Sequence, residues 1–181
     1  MGSASSCPEP IRYDRVSRLL HWLMAALLFI QIGLGLWMTE LPKGAGGARA
    51  YWFNVHKSLG MTLGLLALFR LAWAVRRPPV PAVPMAAIQR HLASISHRLL
   101  YVLMLLMPAS GFLGSVYSGY PVRLFGLTLP KLAERWDAAK AVMSAIHQIS
   151  AFALMLLVAL HLLAVIHHQF IAKDGLLQRM R

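Results

Sequence analysis

The chain has 181 residues, of which 58% are hydrophobic and only 13% charged, with a mean hydropathy of +0.59. A soluble domain carries about 25% charged residues, so the composition excludes an ordinary water-soluble protein and predicts one membrane domain over residues 1–181. The net charge of +12 would suit nucleic acid if it were clustered, but the basic residues sit at the ends of apolar runs, so lipid headgroups are the expected partner and nucleic acid is not.

In chain order, the polar start MGSASSCPEP holds the only cysteine, Cys7. It can form no internal disulfide and no CxxCH haem-attachment site, so any haem must be held non-covalently. No cleavable signal peptide is expected, because the first apolar run is long and follows a polar tail. Four runs approach the roughly 20 residues that cross the hydrocarbon. They cover about 19–38, 53–75, 97–117 and 142–168. An all-α, four-helix transmembrane bundle is the predicted architecture, since four spans then share one interior. The first connection (39–50) is rich in glycine and the second (77–85) in proline, which predicts an extended segment. The third (118–141) is the longest, and its part from Pro130 to Lys140 fits either a short helix on the surface or an extension of the fourth span. Eleven Lys and Arg residues flank the termini and the second connection, against seven at the other two connections. The positive-inside rule therefore puts both termini in the cytoplasm.

The histidines carry the chemistry. Ionisable residues in spans are costly and usually face the bundle interior. His147 and His161 lie fourteen residues apart in the fourth run, which is about 21 Å along a helix and returns the side chain to nearly the same face. Adjacent spans run in opposite directions, so His21 matches the depth of His161 and His56 that of His147. Two bis-imidazole sites at two depths suit two six-coordinate haems built for electron transfer, with these four histidines as ligands to the iron. Zinc is a poorer fit, because each depth lacks the cysteines or carboxylates that complete four-coordination.

Other residues read two ways. Gly35 lies fourteen after His21, and Gly60 and Gly64 follow His56; they make room for a macrocycle or let helices pack closely. Arg70 lies fourteen after His56, and Arg15 and Arg18 precede His21; each suits a haem propionate or a lipid phosphate. His97 is either a proton donor or an interfacial side chain at the start of the third span. Trp22, Trp73, Tyr51, Trp52, Tyr117 and Tyr120 fall near span ends, as an aromatic belt does.

The strings SRLLHW, FNVHKSLG, SHRLLYVLMLLMPASG and AIHQISAFALMLLVALHLLAVIHH resemble the bacterial cytochrome b561 family over roughly residues 12 to 180. The resemblance implies a multi-pass protein of the bacterial inner membrane with two haem b groups, His21 and His161 ligating on the cytoplasmic side, His56 and His147 on the periplasmic side. It implies an oxidoreductase that takes electrons from superoxide and delivers them to ubiquinone, with His168, seven residues after the last ligand, as a quinone-site residue alongside His97. The alternative within the family is an electron-relay subunit between the quinone pool and a redox partner protein. A lysine expected in the second connection is absent here. The outer connections with their flanks carry seven cations against Glu40, Glu134 and Asp137, a net +4 that would draw in a small anion.

Overall fold

A computed structural model describes residues 12–44, 47–77, 81 and 85–181. The polar start with Cys7 and most of the proline-rich connection lie outside the described residues. Four long helices follow one another: α1 (Arg15–Thr39), α2 (Ala48–Arg76), α3 (Ala87–Val116) and α4 (Asp137–Ile166). Each is long and apolar enough to cross a membrane. All four outrun their apolar stretches, because polar residues continue a helix into the headgroup layer where hydropathy no longer reports it. The difference is largest in α3, which starts ten residues before His97 and thereby carries that side chain well inside the helix.

Local chemistry sets the ends. Asp14 caps α1: its carboxylate accepts from the Ser17 backbone N–H at 3.1 Å and from the Ser17 hydroxyl at 2.7 Å. These bonds hold its carboxyl down at about 2, with burial opposing and Trp73 and Arg77 assisting. Gly47, at φ +77°, turns the chain into α2, a left-handed conformation that glycine adopts without penalty. The third connection holds a small antiparallel hairpin, Arg123–Leu124 against Leu127–Thr128, which hydropathy does not signal. Within Pro130–Lys140, residues 130–136 are not helical, and Asp137–Lys140 extend the fourth span as the start of α4. The hairpin is pinned to α2 by the Phe125 N–H, which donates to Ser58 Oγ at 2.9 Å.

The helices approach closely in the order α1–α2, α2–α3 and α3–α4, with no comparable approach between α1 and α4. Gly64 lets α2 meet α3: a Cβ there would lie 2.7 Å from Pro108 Cγ. Gly60 faces Gln31 of α1 in the same manner. Both glycines thus serve helix packing, the second of the two roles open to them. Met24, Leu63, Ala67, Met104 and Leu154 form the buried core, while large side chains such as Leu19, Leu65, Val75 and Leu156 point outward, as a lipid-facing surface requires.

After Ile166 the chain widens into a π-helical turn, His167–Ala172, and ends in a short 3-10 helix, Leu176–Met180. That last helix is tied back to the start of the chain. The Tyr13 N–H donates to the Arg179 carbonyl at 3.0 Å, and Trp22 Nε1 donates to the Met180 carbonyl at 2.8 Å. Both described ends therefore lie at one end of the bundle, called here the terminal end; the hairpin marks the other.

Candidate functional site

Two histidine pairs sit one above the other in the bundle. At the terminal end the His21 and His161 rings have centroids 6.4 Å apart. At the hairpin end His56 and His147 lie 6.3 Å apart. Two metal–nitrogen bonds of about 2.0 Å and two ring radii of about 1.2 Å put imidazoles on opposite sides of one ion with centroids about 6.4 Å apart. Each pair would thus be close enough to hold one ion between its rings.

The spacing of fourteen is a property of every helix, not only of α4. In α1 His21 is followed by Gly35, in α2 His56 by Arg70, in α3 His97 by Gly111 and in α4 His147 by His161. Each helix so contributes one residue to each level. The midpoints of these intervals are Leu28, Leu63, Met104 and Leu154, which belong to or pack on the apolar core. The core is therefore a dry layer between the two levels.

At the hairpin level glycines make the room. A Cβ on Gly35 would stand 3.1 Å from the His56 ring, and a Cβ on Gly111 would stand 3.1 Å from the His147 ring. Gly35 is where its spacing predicted; Gly111 was missed, although its distance of fourteen from His97 was there to be read. His147 Nδ1 lies 2.9 Å from the Met107 carbonyl, with the Ser110 hydroxyl at a longer 3.4 Å. A carbonyl can only accept, so Nδ1 carries the hydrogen and Nε2 keeps its lone pair for a metal. Among the described residues His56 Nδ1 is buried without a partner, as is Gln31 Oε1, although the Gln31 amide donates to the His56 carbonyl at 2.8 Å.

The terminal level is more polar. Arg70 donates to His21 Nδ1 at 3.0 Å and lies 5.9 Å from the Tyr101 ring centroid; the neutral His21 ring then carries its hydrogen on Nε2, so a metal at that nitrogen requires Arg70 to release Nδ1. His97 packs against His161 with centroids 5.7 Å apart, so it belongs to this level and not to the membrane surface. Arg18 Nη1 donates to the Arg181 carbonyl, and its Nε is buried without a partner among the described residues. Arg15 is exposed at the start of α1, and among the described residues its side chain makes no hydrogen bond. Trp22 stands edge-on to His21 at 5.3 Å. His168 lies beyond this level: its Nδ1 is 2.5 Å from Asp174 Oδ2. It stands in the π-helical turn that follows α4.

Four membrane-crossing helices that present paired imidazoles at two depths define a membrane electron-transfer protein of the b-cytochrome class. The comparisons agree. The model of the prokaryotic cytochrome b561 family matches residues 12–181, and the chain belongs to that family, whose members bind haem b and carry electrons in membranes. Cytochrome b561 homolog 2 of Escherichia coli (strain K12) is 32% identical over 177 residues, covering 94% of this chain and 92% of the relative. Cytochrome b561 homolog 1 of the same strain is 29% identical over 178 residues, covering 93% and 96%. A probable superoxide oxidase, CybB, of Yersinia pestis is 27% identical over 164 residues, covering 89% and 90%.

The residues fit haem. Each level has two imidazoles close enough to share one iron, the hairpin level has glycines where a side chain would crowd the rings, and the terminal level has Arg70, which would turn from His21 to a haem carboxylate.

Proposed function

We propose that the protein is a di-haem oxidoreductase of the bacterial inner membrane that passes electrons from superoxide to ubiquinone. The single observation that carries the two-haem part is the matched pair of histidine spacings, 6.4 Å and 6.3 Å, fourteen residues apart on α4. His21 and His161 hold one iron at the terminal end, and His56 and His147 hold the other at the hairpin end. The bound haem supplies reversible one-electron chemistry at each level. Both termini face the cytoplasm, in keeping with the excess of Arg and Lys at that end.

The residues of the chain do the rest. The Met107 carbonyl fixes the His147 tautomer. Lys57, Arg123 and the other cations of the hairpin end attract a small anion from the periplasm. Arg70 and Arg18 neutralise carboxylates at the terminal level. His97 and His168 exchange the protons that quinone reduction consumes. The superoxide donor draws support from the probable superoxide oxidase among the relatives.

Stopped-flow mixing of the purified protein with superoxide tests the reading. Haem absorbance should shift to the reduced form on mixing with no other protein present, and short-chain ubiquinone should reoxidise it. Sluggish reduction that needs a co-purifying protein would replace this reading with that of an electron-relay subunit.

A further inference from the structure

The His168–Asp174 contact lies outside both histidine pairs. His168 stands in the π-helical turn at the end of α4, about 10 Å beyond His161 along the axis. Such turns are rare and gather at functional sites. Here the turn is followed by Lys173 and Gly175 in left-handed conformation (φ 51° and 74°), which swings the chain back so that Asp174 faces His168. Both side chains are largely covered, at 16% and 20% exposure. One carboxylate oxygen accepts from the Leu176 N–H at 3.1 Å and the other lies 2.5 Å from His168 Nδ1. Burial raises the Asp174 carboxyl, but the bonds from Leu176 and His168 outweigh it and hold it below the usual carboxylate range. The segment that carries Asp174 is itself anchored, through the Met180 carbonyl to Trp22 and through the Arg179 carbonyl to Tyr13.

A carboxylate has no hydrogen to give, so Nδ1 of His168 carries the hydrogen and Nε2 is the exchanging nitrogen. Among the described residues Nε2 has no protein partner, and it is not sealed from its surroundings. The other ring beside it is that of His167, edge-on at 5.6 Å.

We infer that Asp174 is a positioning residue that fixes the tautomer of His168 and so presents Nε2 to a quinone oxygen at the terminal end of the bundle. The inference rests on the quinone reading given above. Full reduction of a quinone takes two electrons and two protons. Two superoxide ions lose one electron each and leave as O2, and the quinone takes up the two electrons with two protons, the second from water. One proton passes through His168: its Nε2–H bond breaks as the quinol O–H bond forms, and the imidazole then regains a proton from water on the same side. The Nδ1–H stays with Asp174, which remains a carboxylate throughout.

Asp174→Asn tests this with little change of shape. Its amide oxygen can keep the Leu176 bond, and its NH2 group then faces His168 as a donor. In the full chain in nanodiscs, with 15N-labelled histidine and the haem reduced to its diamagnetic state, the His168 signal (assigned by its loss in His168→Gln) should report Nδ1–H in the parent and Nε2–H in the variant. Turnover with short-chain ubiquinone should fall about ten- to a hundredfold in kcat, the usual cost of losing an orienting carboxylate, while KM changes little and haem content stays at the parent value. An unchanged tautomer, or unchanged turnover in a preparation whose parent reduces quinone, overturns the inference alone. A parent that reduces no quinone at all overturns the quinone reading and this inference with it.

Discussion

The two histidine levels are built on one spacing and differ in what surrounds it. At the hairpin end the residues opposite the histidine pair are Gly35 and Gly111, and among the described residues the polar contacts on His147 are a carbonyl and a distant hydroxyl. At the terminal end the corresponding positions are Arg70 and His97, with Arg18, His168 and Asp174 close by. A level lined by glycine and backbone holds its histidines in a fixed orientation. A level lined by arginine and histidine can balance charge and exchange protons. The contrast matches a protein that handles bare electrons at one face and a proton-coupled acceptor at the other.

The sharpest way to break the comparison is to remove one ligand. His56→Ala or His147→Ala should leave about one haem per chain, the terminal one, and His21→Ala or His161→Ala should leave the other, with pyridine haemochrome spectra giving the count and redox titration the identity. Loss of both haems from every variant would mean that the levels are not independent. Next in size are Gly35→Leu and Gly111→Leu. Each places a side chain where even a Cβ would stand 3.1 Å from a ligand ring, so the hairpin-level haem should drop out while the terminal one stays. Equal loss at both levels would show a general packing defect instead.

Arg70→Gln sharpens the other half. Removing a half-buried positive charge disfavours the reduced state nearby. At about 1–1.5 kcal/mol and 59 mV per tenfold, the terminal haem potential should fall by some tens of mV, and the hairpin haem should not move. A shift confined to the hairpin haem in a redox titration would contradict the assignment of Arg70 to the terminal level.

The smallest effect concerns the anchoring of the terminal end. Asp14 caps α1 and accepts from Trp73 Nε1 at 3.2 Å. Its carboxyl is held at about 2, below the roughly 3.9 of an unfolded chain. The stability it gives is therefore present above about pH 4 and is lost as the pH falls through 2. Hydrogen exchange over residues 15–20 should quicken in that window before exchange over the start of α2 does. Asp14→Ala should give the same local loosening at neutral pH, worth about 1 kcal/mol; equal exchange in parent and variant would remove the cap from the account.

Much of this was legible in the sequence. The four helices follow from hydropathy, and the histidine pairs follow from a spacing of fourteen combined with alternating helix direction. The role of Gly35 was legible for the same reason. What escaped has a physical cause in each case. For His97 the sequence left two readings, proton donor or interfacial side chain, because hydropathy marks the hydrocarbon and not the helix, and the polar stretch AIQRHLASIS before it is helical all the same. Gly60 and Gly64 follow a ligand histidine, yet their rotation turns them to Gln31 and Pro108. The hairpin at Arg123–Thr128 is held by a tertiary bond to Ser58, which no local pattern encodes.

The central claim is two separate bis-imidazole irons in one chain. Low-temperature EPR of the oxidised parent, integrated against a haemochrome count per polypeptide, tests it most directly. Two low-spin ferric signals of equal weight, summing to two haems per chain, are the predicted result. A single signal, or high-spin iron with an open coordination position, would contradict it.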